Sequence, residues 1–149
     1  MAVGLLETVW RTNGELAVNG KAYLVDSVIF IDHFNGISEA TDFLREHRAA
    51  IYVSLISRAE VLTGFPPVRR REPMLLLDQL RTLSMDRGTA DLAADLRRTH
   101  RWRLPDAFQA ALATQHALKL VTRNTKDFDP KKHRFVLVPY VISNAGQSR

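Results

Sequence analysis

Four acidic residues stand at positions where catalytic side chains are common in α/β proteins: Asp26, Glu60, Asp106 and Asp127. Three of them closely follow a predicted strand, and Asp106 begins a predicted helix. The carboxyl ends of parallel strands meet at one edge of a sheet, so these carboxylates can converge on one cleft. Clustered carboxylates repel one another unless some are protonated or a multivalent cation neutralises them. With oxygen ligands only, the predicted cation is Mg²⁺ or Mn²⁺ rather than zinc.

Each of these acids, taken alone, also fits a structural role. Asp26 could cap the helix that follows it, and Glu60 could complete a capping box with Ser57. Asp106 lies in a first helical turn, where the helix dipole favours negative charge, and Asp127 could close a turn. The convergence of all four favours a cation site more strongly than any one of them does.

The positions of these acids depend on alternating strands and helices. Strands are predicted at residues 22–26, 51–53, 83–85, 120–122 and 134–138. Helices are predicted at residues 27–34, 37–47, 57–63, 89–101 and 104–118, and one more spans the apolar residues from Met74 to Leu83. This alternation predicts an α/β fold with a parallel sheet covered on both faces. We expect residues 22–142 to form the domain, residues 1–21 an N-terminal extension of uncertain structure, and residues 143–149 a flexible tail.

The composition is that of a globular protein. The 149 residues, 46% hydrophobic and 25% charged, suffice for one domain with a buried core. The absence of cysteine excludes a disulfide scaffold, a thiolate zinc site and a cysteine nucleophile. No apolar run approaches the ~18 residues of a membrane span, which predicts a soluble, cytoplasmic protein. The net charge of +5 is compatible with a polyanionic partner.

Four segments resemble, in order and spacing, those of PIN-domain nucleases. They read YLVDSVIFID at residues 23–32, ISRAEVLTG at 56–64, LPDAFQAALA at 104–113 and LVTRNTKDF at 120–128. Together they are similar to the small VapC-type toxins of bacterial toxin–antitoxin pairs, over about residues 22 to 140. The resemblance implies a three-layer α/β/α sandwich with a five-stranded parallel sheet in the order 3-2-1-4-5.

The resemblance also implies site residues and partners. The acidic quartet carries over as Asp26, Glu60, Asp106 and Asp127, with Ser27 and Asn124 as supporting residues. The implied activity is that of an endoribonuclease toxin that uses Mg²⁺ or Mn²⁺ and cleaves transfer RNA or a ribosomal RNA stem–loop. The implied partners are a cognate VapB-type antitoxin and a second copy of the chain, with DNA reached only through the antitoxin. The apolar stretch from Met74 to Leu83 could line the antitoxin groove or pack in the core.

The chain offers no obvious side-chain nucleophile, because it has no cysteine and no G-x-S-x-G turn. The predicted reaction is therefore hydrolysis of a phosphodiester by water, whose pKa one or two divalent cations would lower. Asp26 and Asp106 are predicted as the main ligands, and Asp127 as a further ligand, directly or through water. Glu60 is predicted to hold a water or a second cation.

Several other residues are predicted to lie outside this site. Asp32, two helical turns after Asp26, is expected on a solvated helix face. Phe108 and Gln109 stand where the family often has smaller aliphatic residues, and we expect them to leave the acidic quartet unaffected. The histidines have no zinc-binding spacing and are expected to be non-catalytic: His33, His47, His100, His116 and His133.

Basic residues cluster at 69–71, 97–103 and 131–134, and each cluster fits either contact with RNA phosphates or an ordinary solvated surface. The RNA-binding candidates are Arg97, Arg98, Arg101 and Trp102. Trp102 could stack an unpaired base, or it could anchor the core beside Leu104.

A second function class is a catalytically silent PIN-like module that binds RNA or protein. Such a module would show no metal-dependent cleavage. A phospho-acceptor domain and a D-x-D phosphatase both need another acid close after Asp26, where this chain has Ser27 and Val28. Both are therefore disfavoured.

Overall fold

The computed structural model describes residues 21–142, which form five strands and six α-helices. The strands are β1 (Tyr23–Val25), β2 (Ile51–Ser54), β3 (Arg81–Leu83), β4 (Lys119–Val121) and β5 (Val136–Leu137). The helices are α1 (Ser27–Phe34), α2 (Ser38–Glu46), α3 (Leu55–Thr63), α4 (Arg71–Asp78), α5 (Arg87–His100) and α6 (Leu104–Gln115). The predicted extension and tail lie outside the described residues, except for Lys21. None of the described helices is both long and apolar enough to cross a membrane.

The strands form one parallel sheet in the order β3-β2-β1-β4-β5, which confirms the predicted fold class and strand order. β1 lies at the centre, with Leu24 in register with Tyr52 of β2 and Leu120 of β4. The residue that follows β1 therefore lies in the middle of the carboxyl edge of the sheet. That edge is where ligands bind in open α/β sheets.

Side chains of the central strand alternate between two apolar cores, as the pleat of a strand requires. Leu24 packs on one face of the sheet, in a core that includes Trp102. Val25 packs on the other face with Ile29 of α1 and Val53 of β2. Helices therefore cover both faces, and the polar residues of the carboxyl edge are held between two packed layers.

The region from residue 74 to residue 85 differs from the prediction. Helix α4 ends at Asp78, where the backbone N–H of Gln79 donates to the Leu76 carbonyl at 3.2 Å. Strand β3 begins at Arg81, two residues before the predicted strand at 83–85, and pairs Leu83 with Ser54. The predicted helix to Leu83 was wrong because the apolar spacing continues through a turn and into a strand.

Helix α6 ends at Gln115, three residues before the predicted end. Ala117 has a left-handed backbone conformation with φ 53°, and the N–H of Leu118 donates to the Ala113 carbonyl at 2.9 Å. This bond satisfies a carbonyl of the last helical turn as the chain reverses. The chain then enters β4 at the correct register to carry residues 122–127 past the edge of the sheet.

Candidate active site

Asp26 follows β1 and lies at the N-terminus of α1, where its carboxylate accepts from the backbone N–H of Ser27 at 2.9 Å. The same carboxylate accepts from Thr122 Oγ1 at 2.8 Å and from Gln109 Nε2 at 3.3 Å. Asp26 is only 8% exposed. Asp26 therefore caps α1 and also lies at the centre of the carboxyl edge of the sheet. Three hydrogen-bond donors fix the orientation of its carboxylate.

Glu60 lies on α3 and accepts a hydrogen bond from Ser27 Oγ at 2.8 Å. The cap of α3 is Ser54, whose side chain accepts from the backbone N–H of Ser57 at 2.9 Å. The capping-box alternative for Glu60 was therefore wrong. Ser27 instead joins Asp26, through its backbone N–H, to Glu60, through its hydroxyl.

Asp106 lies in the first turn of α6 and is 8% exposed. Its Oδ2 atom is buried and accepts no hydrogen bond from the described residues. Arg103 Nε lies 3.5 Å from this oxygen, on a side chain that is mostly in solvent. A buried carboxylate oxygen without a donor is unfavourable unless a ligand or an ion satisfies it.

Asp127 lies in the loop after β4, where its Oδ2 accepts from Asn124 Nδ2 at 3.1 Å. The backbone N–H of Asn124 donates to Thr122 Oγ1 at 3.0 Å, and Thr122 donates in turn to Asp26. Asn124 thus connects two members of the acidic quartet through short contacts.

The carboxylates interact electrostatically. Burial raises the pKa of Asp26, and the charge of Glu60 contributes in the same direction. Burial also raises the pKa of Asp106. The positive charge of Arg103 lowers this pKa, whereas the negative charges of Asp26 and Asp127 raise it further. Asp26 therefore senses the charge of Glu60, and Asp106 senses those of Asp26 and Asp127, so a cation near these groups would reduce the repulsion.

The donors of this cluster are oxygen atoms, which suit a hard cation such as Mg²⁺. Within residues 21–142, no three histidine, aspartate or glutamate side chains lie close enough together to enclose a metal ion. Mg²⁺ commonly keeps several waters and is held by one or two carboxylates together with substrate phosphates. The donor set and the buried, unsatisfied Oδ2 of Asp106 fit such a partly hydrated ion better than a closed protein cage.

Gln109 contacts the quartet, so the prediction that it leaves the quartet unaffected was wrong. It is 1% exposed, donates to Asp26 and to Ser57 Oγ at 2.9 Å, and accepts from Ser54 Oγ. The signal was present in the sequence, because Gln109 lies three residues after Asp106 and thus on the same face of α6. Thr122 was missed as well, although a polar residue at the end of an apolar strand is an informative sign.

Gln109→Ala is expected to destabilise the fold by about 1–3 kcal/mol, because it leaves buried hydroxyls and part of the Asp26 carboxylate without their partner. The measurement is the free energy of unfolding from urea titration. The matched control is Gln115→Ala, since Gln115 is exposed and accepts one hydrogen bond, from Thr89. Equal losses for both variants would contradict the role of Gln109 in this buried network.

Asp32 is not on a solvated helix face, as was predicted. It is 5% exposed and forms an ion pair with Arg123 at 2.6 Å. Its carboxylate also accepts from the hydroxyl of Tyr140 at 2.8 Å. The prediction failed because both partners are about a hundred residues away in the chain and have no local signature.

Trp102 is 5% exposed, stacks on His100 with ring centroids 4.2 Å apart, and donates its indole N–H to the Asp127 carbonyl at 3.0 Å. The core-anchor alternative is therefore favoured over base stacking. Arg97 donates to the Trp102 carbonyl at 2.8 Å, and Arg101 ends α5 in a left-handed conformation with φ 60°. Arg98 is exposed on α5.

Comparisons with known proteins agree with this architecture. A PIN-domain family model matches residues 23–132. Ribonuclease VapC10 of Mycobacterium tuberculosis is 35% identical over 112 residues, a match that covers 70% of this chain and 84% of that protein.

Solved structures also match this chain. A toxin-antitoxin complex from Klebsiella pneumoniae contains a chain that is 32% identical, with a TM-score of 0.74, covering 82% of this chain and 100% of that chain. The crystal structure of FitAcB from Neisseria gonorrhoeae matches with a TM-score of 0.66 at 22% identity, covering 80% of this chain and 99% of that chain. The second likeness, at its lower identity, concerns the fold alone.

Proposed function

This chain belongs to the PIN-domain family, and from that premise we propose that it is a metal-dependent endoribonuclease, the toxin of a toxin–antitoxin pair. The relative named as a ribonuclease and the solved toxin-antitoxin complex support this proposal. The observation that carries it is the buried Oδ2 of Asp106, which accepts no hydrogen bond from the described residues and belongs to the same charged cluster as Asp26 and Asp127. Arg103 compensates this oxygen only from an exposed side chain 3.5 Å away, so the arrangement is suited to a divalent cation.

The chemistry that a divalent cation would supply here is polarisation of the scissile phosphodiester and a lower pKa of an attacking water. Asp26 and Asp106 would hold the cation, and Asp127 would contribute directly or through water. Thr122 and Gln109 keep the Asp26 carboxylate oriented by donating to its two oxygens. Glu60, fixed by the Ser27 hydroxyl, would hold a water or a second cation.

The antitoxin partner would bind in a groove away from this site. The groove has a volume of about 840 Å³ and lies between the end of α1, the turn after α3 and helix α4. Its wall includes Phe34, Phe65 and Leu75, and Leu75 is 51% exposed, whereas Leu77 of the same helix is buried in the core. Arg69 and Arg71, opposed by Glu72, leave the groove with an excess of positive charge, so it suits an apolar segment that also carries acidic residues.

Removal of divalent cations is expected to lower RNA cleavage by at least about 100-fold, and Mg²⁺ or Mn²⁺ is expected to restore it. The experiment uses the purified full chain with transfer RNA and with a ribosomal RNA stem–loop, and it maps the new 5′ ends by sequencing. Cleavage that persists in EDTA would contradict the metal mechanism. RNA binding without cleavage under any cation would instead identify a silent binding module.

A further inference from the structure

We propose that three residues outside the acidic quartet hold the loop after β4 in its active position: Asp32, Arg123 and Tyr140. We call them the positioning cluster. The inference rests on the proposed nuclease function and deepens it, because these residues would act on the site only through others.

The contacts within the positioning cluster are close and directional. Arg123 Nε lies 2.6 Å from Asp32 Oδ2, and Arg123 Nη2 lies 2.9 Å from Asp32 Oδ1. The Tyr140 hydroxyl donates to Asp32 Oδ2 at 2.8 Å. This paired geometry restricts the guanidinium more than a single contact could, since both N–H groups must align with one carboxylate.

Arg123 lies between the two residues that contact the quartet from this loop. Thr122 donates to Asp26 Oδ2 at 2.8 Å, and Asn124 donates to Asp127 Oδ2 at 3.1 Å. Each of these residues is one peptide bond from Arg123. A shift of the Arg123 backbone would therefore move both contacts at once.

Helix α1 holds this loop at two points. Asp26, at the N-terminus of α1, accepts from Thr122, and Asp32, further along the same helix, binds Arg123. A single contact would leave the loop free to rotate, whereas two contacts on one rigid helix fix its orientation. Tyr140, beyond β5, adds a third segment of the chain. Burial raises the pKa of Tyr140, so its hydroxyl remains a donor at neutral pH.

Stability alone does not account for this arrangement. Replacing a buried ion pair by apolar residues of similar volume is often neutral or stabilising, because both charges lose their hydration. Asp32 is 5% exposed, although 26% of the Arg123 side chain remains exposed, and an apolar side chain at position 32 would be an ordinary choice. What the Asp32–Arg123 pair adds is a single fixed conformation of the loop after β4.

The test compares Arg123→Lys, which keeps the charge but loses the paired contact, with Tyr140→Phe, which removes one hydrogen bond. The control is Leu44→Ala, which removes a buried apolar side chain of α2 from the core that Tyr140 also packs against, and so lowers stability without removing a hydrogen bond of the positioning cluster. Three quantities are measured on folded protein: Mn²⁺ affinity by electron paramagnetic resonance, kcat and KM for RNA cleavage, and amide hydrogen exchange of residues 122–128 without metal.

We expect Arg123→Lys to weaken Mn²⁺ binding and to lower kcat by about 10-fold each, with KM changed by less than about 2-fold. Tyr140→Phe is expected to show about 3-fold effects in the same direction. Both variants should speed amide exchange in the loop. Leu44→Ala should leave Mn²⁺ affinity, kcat and KM unchanged and should speed exchange only as far as global unfolding becomes more frequent. If Arg123→Lys does not fold, Tyr140→Phe decides the matter alone.

Two results would overturn the positioning cluster. One is unchanged loop exchange in the variants, and the other is faster exchange with unaltered Mn²⁺ affinity and kcat, which would make the cluster purely structural. A wild-type chain that neither binds Mn²⁺ nor cleaves RNA would instead refute the proposed function. The amide exchange of the metal-free protein distinguishes that failure from failure of the cluster.

Discussion

Asp106→Asn is expected to abolish metal-dependent RNA cleavage, with a loss of at least about 1,000-fold, or roughly 4 kcal/mol of transition-state stabilisation. The substitution keeps the size of the side chain and removes the negative charge that would hold the cation. The buried Oδ2, which accepts no hydrogen bond within residues 21–142, is replaced by an amide group that cannot bind a cation through both atoms. Cleavage of RNA is measured under saturating Mg²⁺ and Mn²⁺.

The same variant is expected to be more stable than the wild type when no metal is present. Burial raises the pKa of Asp106 above its ordinary value, so the ionised carboxyl opposes folding. This cost appears as the pH rises through the folded-state pKa and is absent below the unfolded-state pKa of about 4. The melting temperature of Asp106→Asn should therefore exceed that of the wild type by a few degrees at pH 7 and match it in acid.

Divalent cations should reverse the order of these two melting temperatures. We expect Mg²⁺ to bind only the folded wild type and therefore to raise the melting temperature of the wild type and not that of Asp106→Asn. The control is Asp91→Asn, an exposed aspartate on α5, which should alter neither cleavage nor stability. Full activity in Asp106→Asn would remove Asp106 from the site, and a lower melting temperature at pH 7 would contradict the assigned origin of its raised pKa.

The sheet and the acidic residues at its edge could be predicted because their signals are local. In a short apolar strand that ends in an acid, such as residues 22–26, the apolar residues predict that the strand is buried. The acid at its end predicts that Asp26 lies at the carboxyl end of the strand. The boundary between α4 and β3 could not be predicted in the same way. Leu80 and Leu83 continue the helical spacing of α4, and the strand is identified by the pairing of residues 81–83 with residues 52–54.

The residues that orient the acids were harder to predict because their partners are distant in sequence. Gln109 is 83 residues from Asp26, and Arg123 is 91 residues from Asp32. Burial of a polar side chain depends on which neighbours the fold brings to it, and an isolated polar residue on a helix is usually solvated. The local sequence pattern therefore predicted the four acidic residues of the quartet. It did not predict the side chains whose hydrogen bonds orient the acidic side chains.

The burial of Trp102 also could not be predicted from its sequence neighbours. Of the substitutions considered, Trp102→Ala is expected to lower the free energy of unfolding the most. The loss should be about 3–5 kcal/mol, because the ring fills a core position between His100 and Phe128 and its N–H is bonded to the Asp127 carbonyl. Trp102→Phe keeps most of the apolar contact and should lose about 1–2 kcal/mol, chiefly the hydrogen bond. Unfolding in urea measures both values.

RNA affinity separates the core role of Trp102 from base stacking. At a temperature where both proteins are folded, Trp102→Phe should bind RNA within about 2-fold of the wild type, since the buried indole has no free face for a base. Arg98→Ala, which removes an exposed cation from the same cluster, should leave stability within about 0.5 kcal/mol and reduce the salt dependence of any RNA binding there. A stable Trp102→Ala protein with about 10-fold weaker RNA binding would reverse this assignment, because a side chain that supports the core cannot be removed without cost to the fold.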